Sequence, residues 1–282
     1  MRRLVVNADD LGLTIGVNDG IFDAHEHGIL ISASLLANAP ATADAARLAR
    51  SPPTLGVGVH LTLVDGDPVL PPDHVPTPVE DDERFRRSWK PFIVACLTGR
   101  VSMLEVEHEL TAQIERVLAA GIKPTHLDAH KHVHAYPPVF AIVARLAMRY
   151  GISAVRNPYE RSLSSVNHDS RATRGIVRRQ ALLNAAGWPW ARHNRRTAAA
   201  LGLRTPDFIG RIHAGVMNAT TIQALVGTIR GGVTELMVHP GYIDSALART
   251  GTRLLESRAQ ASHHRARASR RSFWPVGREL VD

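Results

Sequence analysis

The sequence predicts an α/β fold, namely an irregular (β/α) barrel with about seven parallel strands, on three observations. Short apolar runs alternate with stretches of helical periodicity along most of the chain. Several of these runs are followed directly by acids or histidines, which is where functional side chains lie in such barrels. The chain has 282 residues, 44% of them hydrophobic, which is enough for one barrel with a sizeable core.

The first sixty residues show the alternation of strands and helices most simply. The apolar run from Leu4 to Val6 is typical of a buried strand, and acids follow it closely. The next predicted elements are a helix over 16–27 stopped by Gly28, a strand over 32–36, a helix over 41–50 that ends before Pro52, and a strand that ends at His60. We therefore predict three strands joined by two helices.

Residues 65–90 interrupt this alternation. The segment contains five prolines and many charged residues, and it shows no apolar period. A long segment without regular structure inside a compact domain usually has a function. We predict that it forms a loop over the mouth of the site.

The alternation resumes after this loop. Ser102 and Glu105 have the spacing of a capping box at the start of a helix, and Gly121 ends that helix. The later predicted elements are a helix over 138–150, a strand over 154–156, partial helix within 162–201, strands over 207–212 and 235–238, and a helix between those strands that Thr220 or Thr221 caps.

The candidate functional residues follow the predicted strands. Asp9 and Asp10 come directly after the first apolar run, and His60, the histidine-rich block at 126–134 and His239 follow later ones. Because the carboxyl ends of parallel strands meet at one end of a barrel, these side chains are expected to share one site. There, one carboxylate can bind a cation while its neighbour handles a proton. The alternative interpretation is that both acids cap the following helix.

Four motifs then resemble a known family. They are NADDLG at 7–12, GVHL at 58–61, DAHKHVH at 128–134 and HPGYID at 239–244, and together they resemble the YdjC/ChbG group of carbohydrate deacetylases over about residues 1–256. The stretch at 61–72 and the sequence AHKH at 129–132 are most similar to the hopanoid-biosynthesis-associated HpnK branch. That branch implies an amino-sugar-bearing hopanoid lipid as substrate.

The resemblance implies a single TIM-like barrel domain over 1–256 and a metal-dependent hydrolase. The implied reaction removes the acetyl group from an N-acetylated amino sugar and gives acetate and a free amine. Asp10, His60 and His130 are implied as ligands of one divalent metal ion, Asp9 as general base and His239 as general acid. Two imidazoles and one carboxylate suit Zn²⁺ or Mg²⁺, and Mn²⁺ also fits.

Other polar residues near these motifs have supporting interpretations. Asp128, His132 and His134 are predicted to orient the metal ligands through hydrogen bonds or to contact the substrate. Arg156 lies at the exit of a predicted strand, where it either grips substrate hydroxyls or pairs with an acid such as Asp244. These residues complete the predicted site.

Three further residues bear on the resemblance. His126 is predicted to have a structural role, because the histidine-rich block holds more imidazoles than one metal needs. Leu11 stands where the family often has Phe, and Lys131 replaces the middle of a common run of three histidines. Neither departure falls on an implied ligand.

Composition and charge exclude several classes of protein. The single Cys96 excludes an intramolecular disulfide and a thiolate zinc cluster. The chain shows no secretory signal and no apolar run of about 20 residues, so a cytoplasmic protein is expected. Although the net charge is +8, no basic stripe with interleaved aromatic residues appears, so nucleic acid is not an expected partner. The oligomeric state is left open, with a homodimer as one candidate.

Much of the positive charge lies in a C-terminal tail at 257–282. Residues 258–282 contain six arginines against Glu279 and Asp282, and the apolar period is lost. Three interpretations are open: a solvated basic tail, a change of reading frame near residue 257, and peripheral contact with an anionic membrane through the arginines, Phe273 and Trp274.

Two other functions remain open at the level of the sequence. The same cation would polarise a phosphoester or a different amide, so another metal-dependent hydrolase is the alternative enzyme. The alternative from a different class is a catalytically weak homologue that binds a sugar or a lipid without releasing acetate.

Overall fold

In the computed structural model, which describes residues 2–50, 54–161 and 171–249, six parallel strands form one curled sheet. The strands are β1 (Arg2–Leu11), β2 (Ser32–Leu36), β3 (Gly56–Leu61), β4 (Leu127–Ala129), β5 (Asp207–Ile209) and β6 (Gly232–Val238). Their order in the sheet is β4-β3-β2-β1-β6-β5, so β1 lies in the centre. The fold is therefore α/β with a half-barrel sheet.

The predicted number of about seven strands was wrong within these ranges. Ala154 and Val155 form only single parallel bridges, with Arg204 and Leu127 respectively, in place of the predicted strand over 154–156. The extended stretch is short because Pro158, which has no N–H for a ladder, follows it closely. The strand over 32–36 is present as predicted, and the remaining predicted strands are present with shifted ends.

The register of the sheet places candidate residues side by side. His60 on β3 is the direct partner of Leu36 on β2 and of Asp128 on β4. On the other side of β1, Val5 is paired with Glu235. All strands run in the same direction, so their carboxyl ends open onto one edge of the sheet.

Nine helices accompany the strands in the described ranges. They are α1 (Ile15–His27), α2 (Thr42–Ala49), α3 (Trp89–Leu97), α4 (Met103–Ala119), α5 (Pro137–Arg149), α6 (Arg171–Ala186), α7 (Trp188–Ala200), α8 (Ala219–Gly227) and α9 (Ser245–Arg249). Short 3-10 turns lie at Pro72–His74 and His130–Ala135. The sequence did not predict α3, because the prolines and charges that precede it hide its start.

Side-chain caps mark the starts of α4 and α8. Ser102 accepts from the N–H of Glu105 at the start of α4, as the capping box predicts. Helix α8 is capped by Asn218, whose side-chain oxygen accepts from both the N–H and the hydroxyl of Thr221. The predicted cap by Thr220 or Thr221 was therefore wrong by a few residues, since Asn binds the free N–H groups well.

The segment predicted as a long loop is anchored to α4. The buried carboxylate of Glu109 accepts from the N–H groups of Val69 and Leu70, at 2.8 and 3.0 Å. The amide of Gln113 binds both the N–H and the C=O of Thr62. Two buried polar groups of one helix thus fix the path of the loop at its start.

The core lies between the sheet and the helices packed on it. Its apolar residues come from all six strands and from the inner faces of the helices, including Ile114 on α4 and Phe140 on α5, neither of which is exposed. Among residues 2–50, 54–161 and 171–249, no helix combines the length and apolar character needed to cross a bilayer. The predicted tail at 257–282 lies outside the described residues, as do residues 162–170 of the segment predicted to be partly helical.

Candidate metal and catalytic site

Three side chains converge at the carboxyl ends of the strands. Asp10, His60 and His130 each offer a ligand atom, and these atoms all lie within 4.8 Å of one another. The Asp10 Oδ1 atom lies 3.4 Å from His60 Nε2 and 2.8 Å from His130 Nδ1. All three residues are buried. The structure thus brings together the three residues predicted as metal ligands.

The backbone that carries them is strained. Asp10 has φ of 66°, and the pairing of β1 with β2 shifts in register between Ala8 and Leu11. Lys131 and His132, directly after His130, have φ of 51° and 55°. Non-glycine residues seldom adopt this left-handed conformation, and such strain is concentrated at functional sites. Residues with positive φ thus lie at the end of β1 and directly after His130.

A carboxylate behind His60 fixes the orientation of its ring. His60 Nδ1 lies 2.8 Å from Asp128 Oδ1, so His60 Nε2 faces Asp10. Asp128 in turn accepts from the hydroxyl of Ser34 at 2.8 Å. His126 binds Ser34 and Thr125 through its two ring nitrogens, in agreement with the predicted structural role of His126.

Arg156 is the centre of a buried charge network. Its guanidinium donates to both oxygens of Asp9 at 2.7 Å and lies 2.7 Å from Asp128 Oδ2 and 2.6 Å from Glu235 Oε1. Asn7 also donates to Asp9, at 3.0 Å. The Arg156 side chain has no exposed surface, so it orients three carboxylates and does not reach into solvent.

These pairs set the ionisation of the site. Burial would raise the pKa of Asp10, but His130 and His60 hold that pKa well below its usual value. Burial likewise opposes charge on His60, yet the carboxylate of Asp128 raises the pKa of His60 to about 10. Despite burial, the carboxylate of Asp10 raises the pKa of His130. Arg156 lowers the pKa of Asp128, and Asp128 in turn raises the pKa of Arg156, again against the effect of burial. Asp10, Asp128 and Arg156 are therefore charged at neutral pH, and a bound cation would replace the protons on the metal-facing nitrogens of His60 and His130.

His239 directly follows β6, and the carboxylates of Asp9 and Asp10 act on it electrostatically. Burial lowers the pKa of His239, while the carboxylates of Asp9 and Asp10 act in the opposite direction. The imidazole is therefore neutral at neutral pH in this site. It lies within the electrostatic reach of both adjacent acids of β1.

Burial dominates on the side formed by the His130–Ala135 turn and residues 157–160. Burial lowers the pKa of His134 to about 4 and that of His132 well below its usual value, and it raises the pKa of Glu160 to about 7. Glu160 accepts from the N–H groups of Gly210 and Ile212 through Oε1 alone. Three buried atoms here, His132 Nδ1, His134 Nδ1 and Glu160 Oε2, have no hydrogen-bond partner among the described residues.

The predicted contacts of two residues differ from those observed. Asp244 accepts from the N–H of Gly16 at 2.7 Å and from that of Leu247 at 2.7 Å, so it ties α9 to the start of α1. Arg156 pairs with other acids, not with Asp244. His134 Nε2 binds the carbonyl of Arg156 at 2.9 Å, which joins the turn after β4 to the charge network.

Several residues of the network were not predicted. Glu235 carried a signal, since it is a charged residue at the start of an apolar run that forms a buried strand. Asn7 and Ser34 carried a weaker one, because both are polar residues within apolar strands. Pairing across the sheet gives these residues partners far away in the sequence, which no local pattern shows.

The residues present fit a divalent metal ion. One carboxylate and two imidazoles form a common set of ligands for such ions. The hydrogen bond from one nitrogen of His60 to Asp128 leaves the other nitrogen facing Asp10, as in the carboxylate–histidine pairs that support metal ligands. We infer the fit from this set of donors and its orientation.

Comparisons with known proteins point to one family. A family model described as YdjC-like protein matches residues 3–270. A protein of Brevibacillus brevis named carbohydrate deacetylase is 34% identical over 249 residues, covering 87% of this chain and 84% of the relative. Its namesake from Geobacillus stearothermophilus is 35% identical over 249 residues, covering 88% and 82%.

A solved structure also matches. It comes from Enterococcus faecalis, and its name proposes cellobiose-phosphate cleavage. The TM-score is 0.68 at 26% sequence identity, and the match covers 94% of each chain. The fold and the order of the elements are therefore shared along nearly the whole chain.

Proposed function

The chain belongs to the YdjC-like protein family, and on that premise we propose that it is a metal-dependent deacetylase of an N-acetylated amino sugar. The single observation that supports the chemistry best is the convergence of Asp10, His60 and His130 beside Asp9. The sequence relatives named carbohydrate deacetylase support the class of substrate.

Asp10, His60 and His130 would hold the cation. When bound, a divalent cation polarises an amide carbonyl and lowers the pKa of a water molecule. An acetamide is a poor electrophile with a poor leaving group, so hydrolysis without such help is slow. Asp128 binds one nitrogen of His60 and leaves the other facing Asp10.

Asp9 is the proposed general base. Both of its oxygens accept from Arg156, which fixes the direction of the carboxylate. Each oxygen of a carboxylate has a second lone pair, so Asp9 can still accept the proton of the attacking water. The buried guanidinium makes Asp9 a rigid base.

His239 is the proposed route for the proton to the leaving amine. Its imidazole is neutral at first because burial lowers its pKa, so it must gain a proton before it can act as an acid. The proton taken from water by Asp9 passes to His239 and from there to the amine nitrogen as the C–N bond breaks. The products are acetate and the free amino sugar.

We further propose a hopanoid lipid as the carrier of the sugar. The support for this finer assignment is the sequence at 61–72 and 129–132, which is most similar to the HpnK branch.

The test is acetate release by metal-stripped protein with Zn²⁺, Mg²⁺ or Mn²⁺ restored. The two substrates are N-acetylglucosaminyl bacteriohopanetetrol and diacetylchitobiose. We expect metal-dependent release that falls about 10²–10⁴-fold in Asp9→Asn, the usual contribution of a general base, and is lost in His130→Ala. The matched control Asp23→Asn changes an acid outside the ligand cluster and should retain activity.

The outcome also separates the alternatives. Release from the hopanoid substrate alone would support the lipid assignment, and release from the disaccharide alone would remove it. A folded, metal-loaded protein that releases no acetate from either substrate would contradict the proposal and favour another hydrolase or a binding protein.

A further inference from the structure

One residue of the anchored loop reaches the metal site. The Asp65 Oδ2 atom lies 3.9 Å from His130 Nε2, within ion-pair range. The opposite ring nitrogen, His130 Nδ1, lies 2.8 Å from Asp10 Oδ1. The imidazole of His130 is thus placed between two carboxylates, one from the central strand and one from the loop.

The backbone at Asp65 is unusual in the same way as that of the ligand segments. Five non-glycine residues in the described ranges have positive φ, and Asp65 is one of them, at 59°. Three others, Asp10, Lys131 and His132, belong to the segments that carry ligands. Strain of this kind persists only where the surrounding structure enforces it, and it is concentrated at functional sites.

The structure around Asp65 enforces this conformation. Its N–H donates to the carbonyl of Arg86 at 3.0 Å, and the carbonyl of Gly66 accepts from Phe85 at 3.0 Å. The buried Phe85 fixes the far side of this contact. Together with the bonds that Glu109 and Gln113 make to the loop, these contacts hold residue 65 in place.

His60 shows what a carboxylate in this position does. One nitrogen of His60 faces Asp10, and the other is held by Asp128. His130 repeats the pattern with Asp65 in the place of Asp128, at a longer distance. A carboxylate behind a metal-bound imidazole fixes the ring and strengthens it as a ligand.

We propose that Asp65 is a positioning residue that holds His130 for the metal ion and so makes the anchored loop part of the metal site. This inference rests on the proposed metal site. It explains why a long proline-rich segment is tied down by buried polar groups of α4: the position of one carboxylate depends on it.

The test measures metal affinity in place of activity. Apo protein is titrated with Zn²⁺ in competition with a chromophoric chelator, for wild type, Asp65→Gly and Asp65→Asn. Glycine removes the carboxylate and also relieves the positive φ, so the fold is not strained by the change. We expect Asp65→Gly to raise the dissociation constant about 10-fold or more, the usual effect of losing such a partner.

Asparagine keeps an oxygen that can accept from the ring N–H, so Asp65→Asn should recover part of the loss. The matched control is Glu83→Gly. Glu83 is also an acid with positive φ, at 60°, in the same loop, but it is exposed and no contact ties it to the ligand cluster in the described residues. The Zn²⁺ dissociation constant of Glu83→Gly should equal that of wild type. The melting temperatures of both glycine variants should be unchanged or higher than that of wild type.

The outcomes are distinct. A wild type that binds Zn²⁺ with the same dissociation constant as Asp65→Gly overturns the positioning role and leaves the proposed function intact. A folded wild type that binds no Zn²⁺, Mg²⁺ or Mn²⁺ removes the metal site itself and the inference with it. A loss in Asp65→Gly that Glu83→Gly does not share supports the proposal.

Discussion

Two sides of the site stabilise their buried polar groups by different means. On the side of β1, β3 and β4, ion pairs stabilise the buried charges. Arg156 is in contact there with the carboxylates of Asp9, Asp128 and Glu235. On the side of His132, His134 and residues 157–160, burial determines the ionisation, and it favours the neutral forms of His134 and Glu160. We call these the charge-paired side and the desolvated side.

The difference between the two sides shows which groups keep a fixed ionisation and which groups change their ionisation with pH. Asp128 and Arg156 keep their charges over a wide pH range, so the network around the proposed metal ligands keeps one arrangement. A group whose state is set by burial changes that state when the pH crosses its shifted pKa. The charge-paired side therefore suits catalysis, and the desolvated side should govern how stability varies with pH.

The change that would break this comparison most strongly is Arg156→Leu. It leaves three buried carboxylates without their cation, which is expected to cost about 3–5 kcal/mol of the free energy of unfolding. Urea denaturation at pH 7 measures this cost. Arg156→Lys is the matched control: it keeps the charge but loses the planar fork that binds Asp9 through two hydrogen bonds, so it should lose less stability than the leucine variant. Equal stability of Arg156→Leu and wild type would show that the pairs do not hold this side together.

On the desolvated side, Glu160→Gln should change the pH dependence of stability. The pKa of Glu160 is about 7 in the folded protein, above its usual value of 4.5, so the folded state keeps its proton longer than the unfolded state does. Glu160 therefore lowers the free energy of unfolding as the pH rises from 4.5 to 7. The cost reaches ~3 kcal/mol in total.

The measurement is the free energy of unfolding of wild type and Glu160→Gln across pH 4.5–7.5, both with EDTA. We expect the variant to gain about 3 kcal/mol relative to wild type over this range. The difference between the two proteins is needed because His134 acts with the opposite sign. Its folded pKa of about 4 lies below 6.5, so its contribution makes stability rise with pH between those values. Parallel curves would contradict the raised pKa of Glu160.

The smallest expected effect concerns a salt bridge on the surface, outside the site. Glu107 on α4 and Arg145 on α5 form a surface salt bridge at 2.7 Å. Such exposed pairs contribute about 0–1 kcal/mol. Glu107→Gln should therefore lower stability by less than about 1 kcal/mol at any pH in the same denaturation series. A larger loss would mean that pairing stabilises this protein on its surface as well as in its buried network.

The sequence predicted much of the site because the signal at strand ends is local. An apolar run followed by an acid or a histidine was enough to single out Asp10, His60 and the histidine-rich block at 126–134. The family resemblance then implied His130 within that block, and the structure brings Asp10, His60 and His130 together. The helix that begins after Ser102 was predicted from its cap for the same reason. The missed features depend on pairs of residues that are far apart in the sequence. Glu235 binds Arg156, which is 79 residues away, and Asp65 of the loop lies beside His130.

By itself, the sequence determined the alternation of strands and helices, the family and the residues at the strand ends, since each rests on neighbouring residues or short motifs. Only the tertiary structure decided that the sheet has six strands in the described ranges, that Arg156 is buried among carboxylates, and that the proline-rich loop brings an acid to His130. The physical reason is that the partner of a charge and the curvature of a sheet depend on which segments pack together. Burial then makes those partnerships decisive, because a charge removed from water must find its counterion within the fold.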